Sequence, residues 1–353
     1  MKDRTTYHTR LMQSNASLCI RLVMLFLSSY SGLHSQDIHF SQFNFSPLNQ
    51  NPANTNCIDC DLRVVSNYKN QWQNVPVKFN TFSISAEMNF ATLNNGDRAG
   101  GGLLFYFDRG GDSKFTSLNT AFSFSYIKAL DKKRAHALSL GVQFGVVNRN
   151  INYAQLNFDN QWNGDVFDPN IAVNENFGRN AFSFFDFGAG LTYRWKKNDR
   201  NNLTLGFGAT HLNTPRQTLF NDNAVKLNPR FTVHARGHVK VAKRLDIVPE
   251  LMYQQQDSKL EMVYGAHVKY YLPVKSAHIW ALNLGAYGRS AEAMWPFAGI
   301  DFDNLQVNLS YDINLSRLRA ASRFNGGVEF SVIYVLCRVK KINKPGAVCP
   351  AFL

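Results

Sequence analysis

The chain has 353 residues, of which 18% are charged and 13% aromatic, and it carries a formal net charge of +13. That length can bury a large core, but the charged fraction lies below the quarter or so usual in soluble domains. The positive charge is scattered and no recognisable nucleic-acid-binding module accompanies it, so a nucleic-acid partner is set aside.

The N-terminus reads as a processed leader. Lys2, Arg4, Arg10 and Arg21 precede an apolar run from Leu22 to Leu27, and His34-Ser-Gln36 follows. This pattern predicts a signal peptide over 1–35, cleaved near Gln36. The apolar run is too short to cross a membrane as a helix, and no later stretch reaches the ~20 apolar residues required. Removing a leader of net +3 leaves about +10 on the exported chain. A surface of that sign suits lipopolysaccharide or an acidic partner.

Residues 36–60 are rich in Asn, Ser, Phe and Pro and show no periodicity. They are expected to form an N-terminal segment on the periplasmic side, ordered by itself or by a partner. Cys57-Ile-Asp-Cys60 is a lone C-x-x-C, too little for a structural zinc or a redox centre. With Cys337 and Cys349 it leaves both a local and a long-range disulfide open.

From Leu62 onward the period is two. The clearest case is Leu305–Leu315, where Leu305, Val307, Leu309, Tyr311, Ile313 and Leu315 alternate with Gln306, Asn308, Ser310, Asp312 and Asn314. Successive strand side chains point to opposite faces, so this segment has one apolar and one wet wall. Roughly eleven tilted residues also match the ~25 Å apolar band of an outer-membrane barrel. The pattern recurs over 62–72, 82–90, 100–107, 115–127, 138–146, 182–195, 203–212, 230–241, 245–255, 260–271, 278–287, 291–302, 305–315 and 327–336.

About fourteen strands with alternating short turns and long loops predict an all-β, antiparallel, transmembrane outer-membrane barrel over 61–337. The long intervals are 148–180 and 211–228, and a basic tail over 338–353 is expected in the periplasm. Gly141, Gly145, Gly206, Gly208 and Gly285 fall on the polar face, where a crowded lumen or a bend favours glycine. Glu250, Glu261, Glu292 and Asp301 are expected to line the interior. Tyr68, Trp72, Phe90, Trp195, Tyr271, Trp280 and Trp295 are expected in interface girdles. No G-x-S-x-G, H-E-x-x-H or phosphate-binding loop is present, so no catalytic residue, metal or cofactor is assigned. A solute channel and a soluble exported sandwich are the other readings of the same pattern.

The N-terminal motifs Gln36-Asp-Ile-His-Phe-Ser-Gln-Phe43, Ser46-Pro-Leu48, Asn51-Pro-Ala53 and Asn67-Tyr-Lys-Asn-Gln-Trp72 stand in close order. Phe185-Asp-Phe-Gly188, His211-Leu212, Gly326-Gly-Val-Glu-Phe-Ser331 and Ala347-Val-Cys-Pro350 follow. This series resembles the PorP/SprF family of outer-membrane proteins of Bacteroidetes. The resemblance implies a role in type IX secretion and, in gliding species, in motility. It implies as partners a large secreted cell-surface adhesin, the periplasmic lipoprotein ring and other secretion components. Phe40, Gln42, Phe43, Asn51, Pro52, Asn67, Gln71, Trp72, Cys349 and Pro350 are then the candidate partner-binding residues. Cys57-Ile-Asp-Cys60 departs from the glycine-containing turn expected after Asn-Pro-Ala.

Overall fold

In a computed structural model of the chain, the residues described are 39–71, 78–173, 178–219, 222, 224–273, 278–290, 292–316 and 322–337. The leader expected at 1–35 and the tail at 338–353 lie outside them, as do Trp72, Cys349 and Pro350.

Among the described residues fourteen strands form one closed antiparallel barrel. They are β1 (Leu62–Gln71), β2 (Phe79–Thr92), β3 (Arg98–Gly110), β4 (Phe115–Ala129), β5 (His136–Asn150), β6 (Ala181–Asn198) and β7 (Asn201–Thr210). The second half holds β8 (Arg230–Ala242), β9 (Leu245–Gln256), β10 (Lys259–Tyr271), β11 (Trp280–Arg289), β12 (Ala293–Phe302), β13 (Leu305–Asn314) and β14 (Asn325–Leu336). Each strand pairs with its sequence neighbours, and β1 closes on β14 with Leu62 opposite Leu336 and Lys69 opposite Glu329. Closure gives every strand a partner on both sides, the condition for crossing lipid with strands.

The wall is inside out relative to a soluble domain. Ser123, Ser125, Ser139 and Ser331 are buried, while Phe122, Leu140, Phe144 and Leu284 are more than half exposed. The period of two therefore points its apolar set at lipid and its polar set at the lumen. Glu250, Glu261 and Asp301 line the interior as expected. Glu292 does not, because β11 ends at Arg289 and β12 begins only at Ala293, which leaves it exposed and outside both strands.

Odd-to-even connections sit at one rim and even-to-odd at the other. The rim holding the start of β1 and the end of β14 has two-residue turns at 199–200, 243–244 and 303–304. The longest connections, 151–180 and 211–229, lie at the opposite rim. Outer-membrane barrels carry short turns on the periplasmic side. Turn chemistry is local where it is tight: Gly96 (φ 93°) takes the left-handed position after Asn94-Asn95, and Asp97 accepts from the Ala129 amide at 2.8 Å.

Cys60 and Cys337 form a disulfide across 277 residues, leaving Cys57 as the free thiol among the described cysteines. The long-range alternative is the one realised, because closing β1 on β14 brings Asp61 into backbone contact with Leu336 at 3.0 Å. The bond staples the barrel seam at the short-turn rim. Cys60→Ser with Cys337→Ser is expected to lose about 2–5 kcal/mol, read as a lower temperature for the heat-induced mobility shift on gels. Cys57→Ser should leave that temperature unchanged.

Candidate functional site: the plugged lumen

Residues 39–60 lie inside the barrel. The expectation was a segment on the periplasmic side, ordered by itself or by a partner; the structure orders it against the barrel's own inner wall. The reason is chemical: a lumen lined by Ser, Asn, Thr and charged residues must be satisfied, and this polar segment supplies the partners. It begins against residues in the half of the wall away from the short turns and ends at the short-turn rim with Cys60. Three single turns, Phe43–Phe45, Pro47–Gln50 and Pro52–Asn54, make up its body. Pro at the first position of the second and third turns supplies a preset φ where no N–H is needed.

The first anchor is a buried charge cluster. Lys69 of β1 lies 3.4 Å from Asp312 of β13 and 3.8 Å from Glu329 of β14, all three buried. One lysine faces two carboxylates, and the plug completes the set. The backbone N–H groups of Ser41 and Gln42 donate to the two Glu329 oxygens at 2.7 and 2.8 Å. The Ser41 hydroxyl donates to Asp312 at 2.7 Å and accepts from Lys69 at 3.0 Å. Gln42 donates to Ser310 at 3.0 Å and accepts from Ser331 at 2.7 Å.

The second anchor is aromatic. Phe45 stacks on Phe297 at 5.5 Å, and Phe43 and Phe45 share a buried cluster with Tyr287, Trp295, Val263 and Met252. Arg236 lies 5.6 Å above the Phe45 ring, a favourable cation–π placement. Trp295, expected in an interface girdle, is fully buried here. Alternation in β12 puts Ala293, Trp295 and Phe297 inward, so both faces of this strand are apolar and parity alone misled.

The third anchor is Asn51-Pro-Ala53. Asn51 donates to Thr192 at 3.1 Å and to the Leu191 carbonyl at 3.2 Å, and its oxygen accepts from the Ala53 amide at 2.9 Å. Ser139 donates to the Ala53 carbonyl and Ser125 to the Thr55 carbonyl. Inner-face glycines are the footprint of this stretch. A Cβ at Gly141 would run into the Ala53 and Pro52 backbone, one at Gly190 into Asn51, and one at Gly100 would lie 2.5 Å from Asn56. Glu87 accepts from the Asn56 amide at 2.6 Å and pairs with Arg63.

Of the candidate residues, the fold brings Phe40, Gln42, Phe43, Asn51 and Pro52 together in the lumen, buried and turned to the barrel's own wall. Asn67 is buried on the inner face of β1, whereas Gln71 ends that strand, half-buried. Glu329, Asp312, Lys69 and Glu87 escaped the sequence reading. Their signal was a charge at an inward position of a transmembrane strand. Two mid-chain motifs are each other's partners: His211 lies 2.8 Å from Asp186, and the Leu212 amide donates to the Phe187 carbonyl at 3.0 Å. They fold the start of the 211–229 connection onto β6.

At the rim, Asp59 lies 2.8 Å from Arg194 and also pairs with Lys196. Burial pushes its carboxyl up, but these two cations outweigh that and hold it below its ordinary value.

The model of the type IX secretion system membrane proteins PorP/SprF matches residues 33–334. The chain belongs to this family. Among solved structures, this PorP/SprF barrel is similar to the toluene transporter TbuX of Ralstonia pickettii, at TM-score 0.51 and 10% identity over 83% of this chain and 93% of that one. The toluene transporter TodX of Pseudomonas putida gives TM-score 0.49 and 10% identity over 82% and 92%. At such identity the likeness speaks to the barrel fold alone. No curated protein gives a significant match.

Glu329→Ala removes the acceptor of two plug amides, Ser41 and Gln42, and leaves Lys69 to Asp312 alone, a cost of about 1–3 kcal/mol for each buried N–H left unpaired. In a background of Cys57→Ser and Cys349→Ser carrying Ser46→Cys, a membrane-impermeant maleimide should label the new thiol at least about tenfold faster once Glu329 is replaced. Unchanged labelling would show that the plug is held elsewhere.

Proposed function

We infer that this PorP/SprF barrel is a non-enzymatic component of the cell outer membrane that exports, or anchors at the surface, a large secreted adhesin, with gliding motility as the outcome in gliding species. The observation that carries the reading is the family match over 33–334. The filled lumen supports it: a segment bonded to the wall along its length suits a partner-handling barrel better than an open pore. The 151–180 and 211–229 connections would meet the exported protein, and the short-turn rim would meet the periplasmic lipoprotein ring. Gln71, Trp72, Cys349 and Pro350 remain the candidates for contacts with those partners. Lipopolysaccharide is the expected lipid neighbour of the long-loop rim.

Since the segment from His39 is buried, an affinity tag belongs in the exposed loop at Asn163-Gly164. Gentle detergent extraction and mass spectrometry should then recover a very large surface protein with secretion lipoproteins. Deleting the gene should remove that protein from the cell surface. Unaltered surface proteins and a barrel that purifies alone would sink this reading.

A channel is the second reading, drawn from the Gly- and Ser-rich inner face. In planar bilayers the intact protein should be electrically silent, and deletion of 39–56 should open stable conductance. Conductance from the intact barrel would favour the channel.

A further inference from the structure

The short-turn rim holds a cavity of about 680 Å³ whose floor is the end of the plug, Asp59 to Asp61. Its size falls within the roughly 300–1,000 Å³ typical of ligand clefts. Six cations line it, Arg98, Lys133, Arg134, Arg194, Lys196 and Lys197, against the carboxylates Asp59 and Asp61. Two of the strand positions among them face the lumen: Arg98 shares the inner face of β3 with Gly100 and Gly102, and Arg194 that of β6 with Thr192.

Nearby acids do not neutralise the set. Asp97 is buried and spent on its own turn, accepting from Tyr126 at 2.6 Å, Asn95 at 2.8 Å and the Ala129 amide at 2.8 Å. Asp131 accepts from the His136 amide. Asp199 pairs with Lys196 at 2.5 Å. Among the described residues Arg98, Lys133, Arg134 and Lys197 make no ion pair. Like charges held this close repel, and a concave basic wall focuses potential onto an anion.

The cluster already accepts one carboxylate, because Asp59 of the plug is held by Arg194 and Lys196. The chain's own tail is the wrong occupant. It starts beyond Cys337, itself a lining residue, and 338–353 carries Arg338, Lys340, Lys341 and Lys344 with no Asp or Glu. Membrane lipid is also the wrong occupant, since the cavity they line has the end of the plug as its floor and the inward-facing Arg98 and Arg194 in its wall, while headgroups ring the outside of the barrel.

We propose that this vestibule is a docking site for an acidic polypeptide segment of a periplasmic partner. The partner's identity as a secretion component rests on the reading above; the chemistry of the site does not. An acidic segment seated here competes for the cations that hold Asp59, so docking is coupled to the last turn of the plug next to the Cys60–Cys337 staple.

The test uses the purified full-length barrel in nanodiscs and a fluorescent hexaglutamate peptide. Binding should weaken about tenfold or more between low and moderately high salt, and hexaglutamine should not bind. Lys133→Glu, Arg134→Glu and Lys197→Glu together should lose about tenfold or more in affinity. These three are exposed and hold no part of the plug. Lys243→Glu with Arg244→Glu, on the same rim but outside the cavity, should leave affinity within about twofold. Three results would overturn the proposal: equal binding of hexaglutamine, no loss in the triple variant, or displacement by millimolar inorganic phosphate at fixed ionic strength. The last would assign the site to a small anion or a phosphate headgroup. The assay contains no other secretion component, so its failure leaves the secretome experiment untouched.

Discussion

Glu329 is fully buried in the wall of a membrane barrel, and its two oxygens are taken by backbone N–H groups from a segment almost three hundred residues earlier. Buried charge in such a place persists only when it is paired and hydrogen-bonded. Lys69 alone does not suffice for Glu329 and Asp312 together, so the wall needs the plug as much as the plug needs the wall. The Ser41 hydroxyl joins the two, donating to Asp312 while accepting from Lys69.

The same dependence continues down the lumen. Glu87 is shared between Arg63 of the wall and the Asn56 amide of the plug. Gly100, Gly141 and Gly190 leave room for the plug backbone, so the wall is shaped to one occupant. Cys60 then ties the end of the plug covalently to the end of β14, at the one seam where the first and last strands meet. Loss of any one of these contacts exposes a polar surface that only another polar chain or water can cover.

That arrangement gives the two rims different characters. The long-loop rim carries the 151–180 connection and the 211–229 connection, whose start is held to β6 by His211 and Asp186. The short-turn rim carries a cationic vestibule over the end of the plug. The barrel therefore offers one rim to each side of the membrane, with the described plug bonded to the wall between them.

The barrel was legible in the sequence because strand periodicity is a local property. Leu305–Leu315 reads correctly without any knowledge of its neighbours. The family was legible too, in ordered motifs such as Asn51-Pro-Ala53 and Phe185-Asp-Phe-Gly188. The inward burial of Trp295 was not, because β12 is apolar on both faces and only the Phe45 ring stacked on its neighbour Phe297 shows which face is inside. Nor was the location of 39–60, which has no period to read and takes its place from hydrogen bonds to residues distant in sequence. The cysteine pairing was left open for the same reason, since it depends on where β1 meets β14. By itself the sequence determined the strands, their number and the family. Tertiary structure alone decided what fills the lumen, because satisfying buried polar groups is a matter of which distant residues closure brings within hydrogen-bond reach.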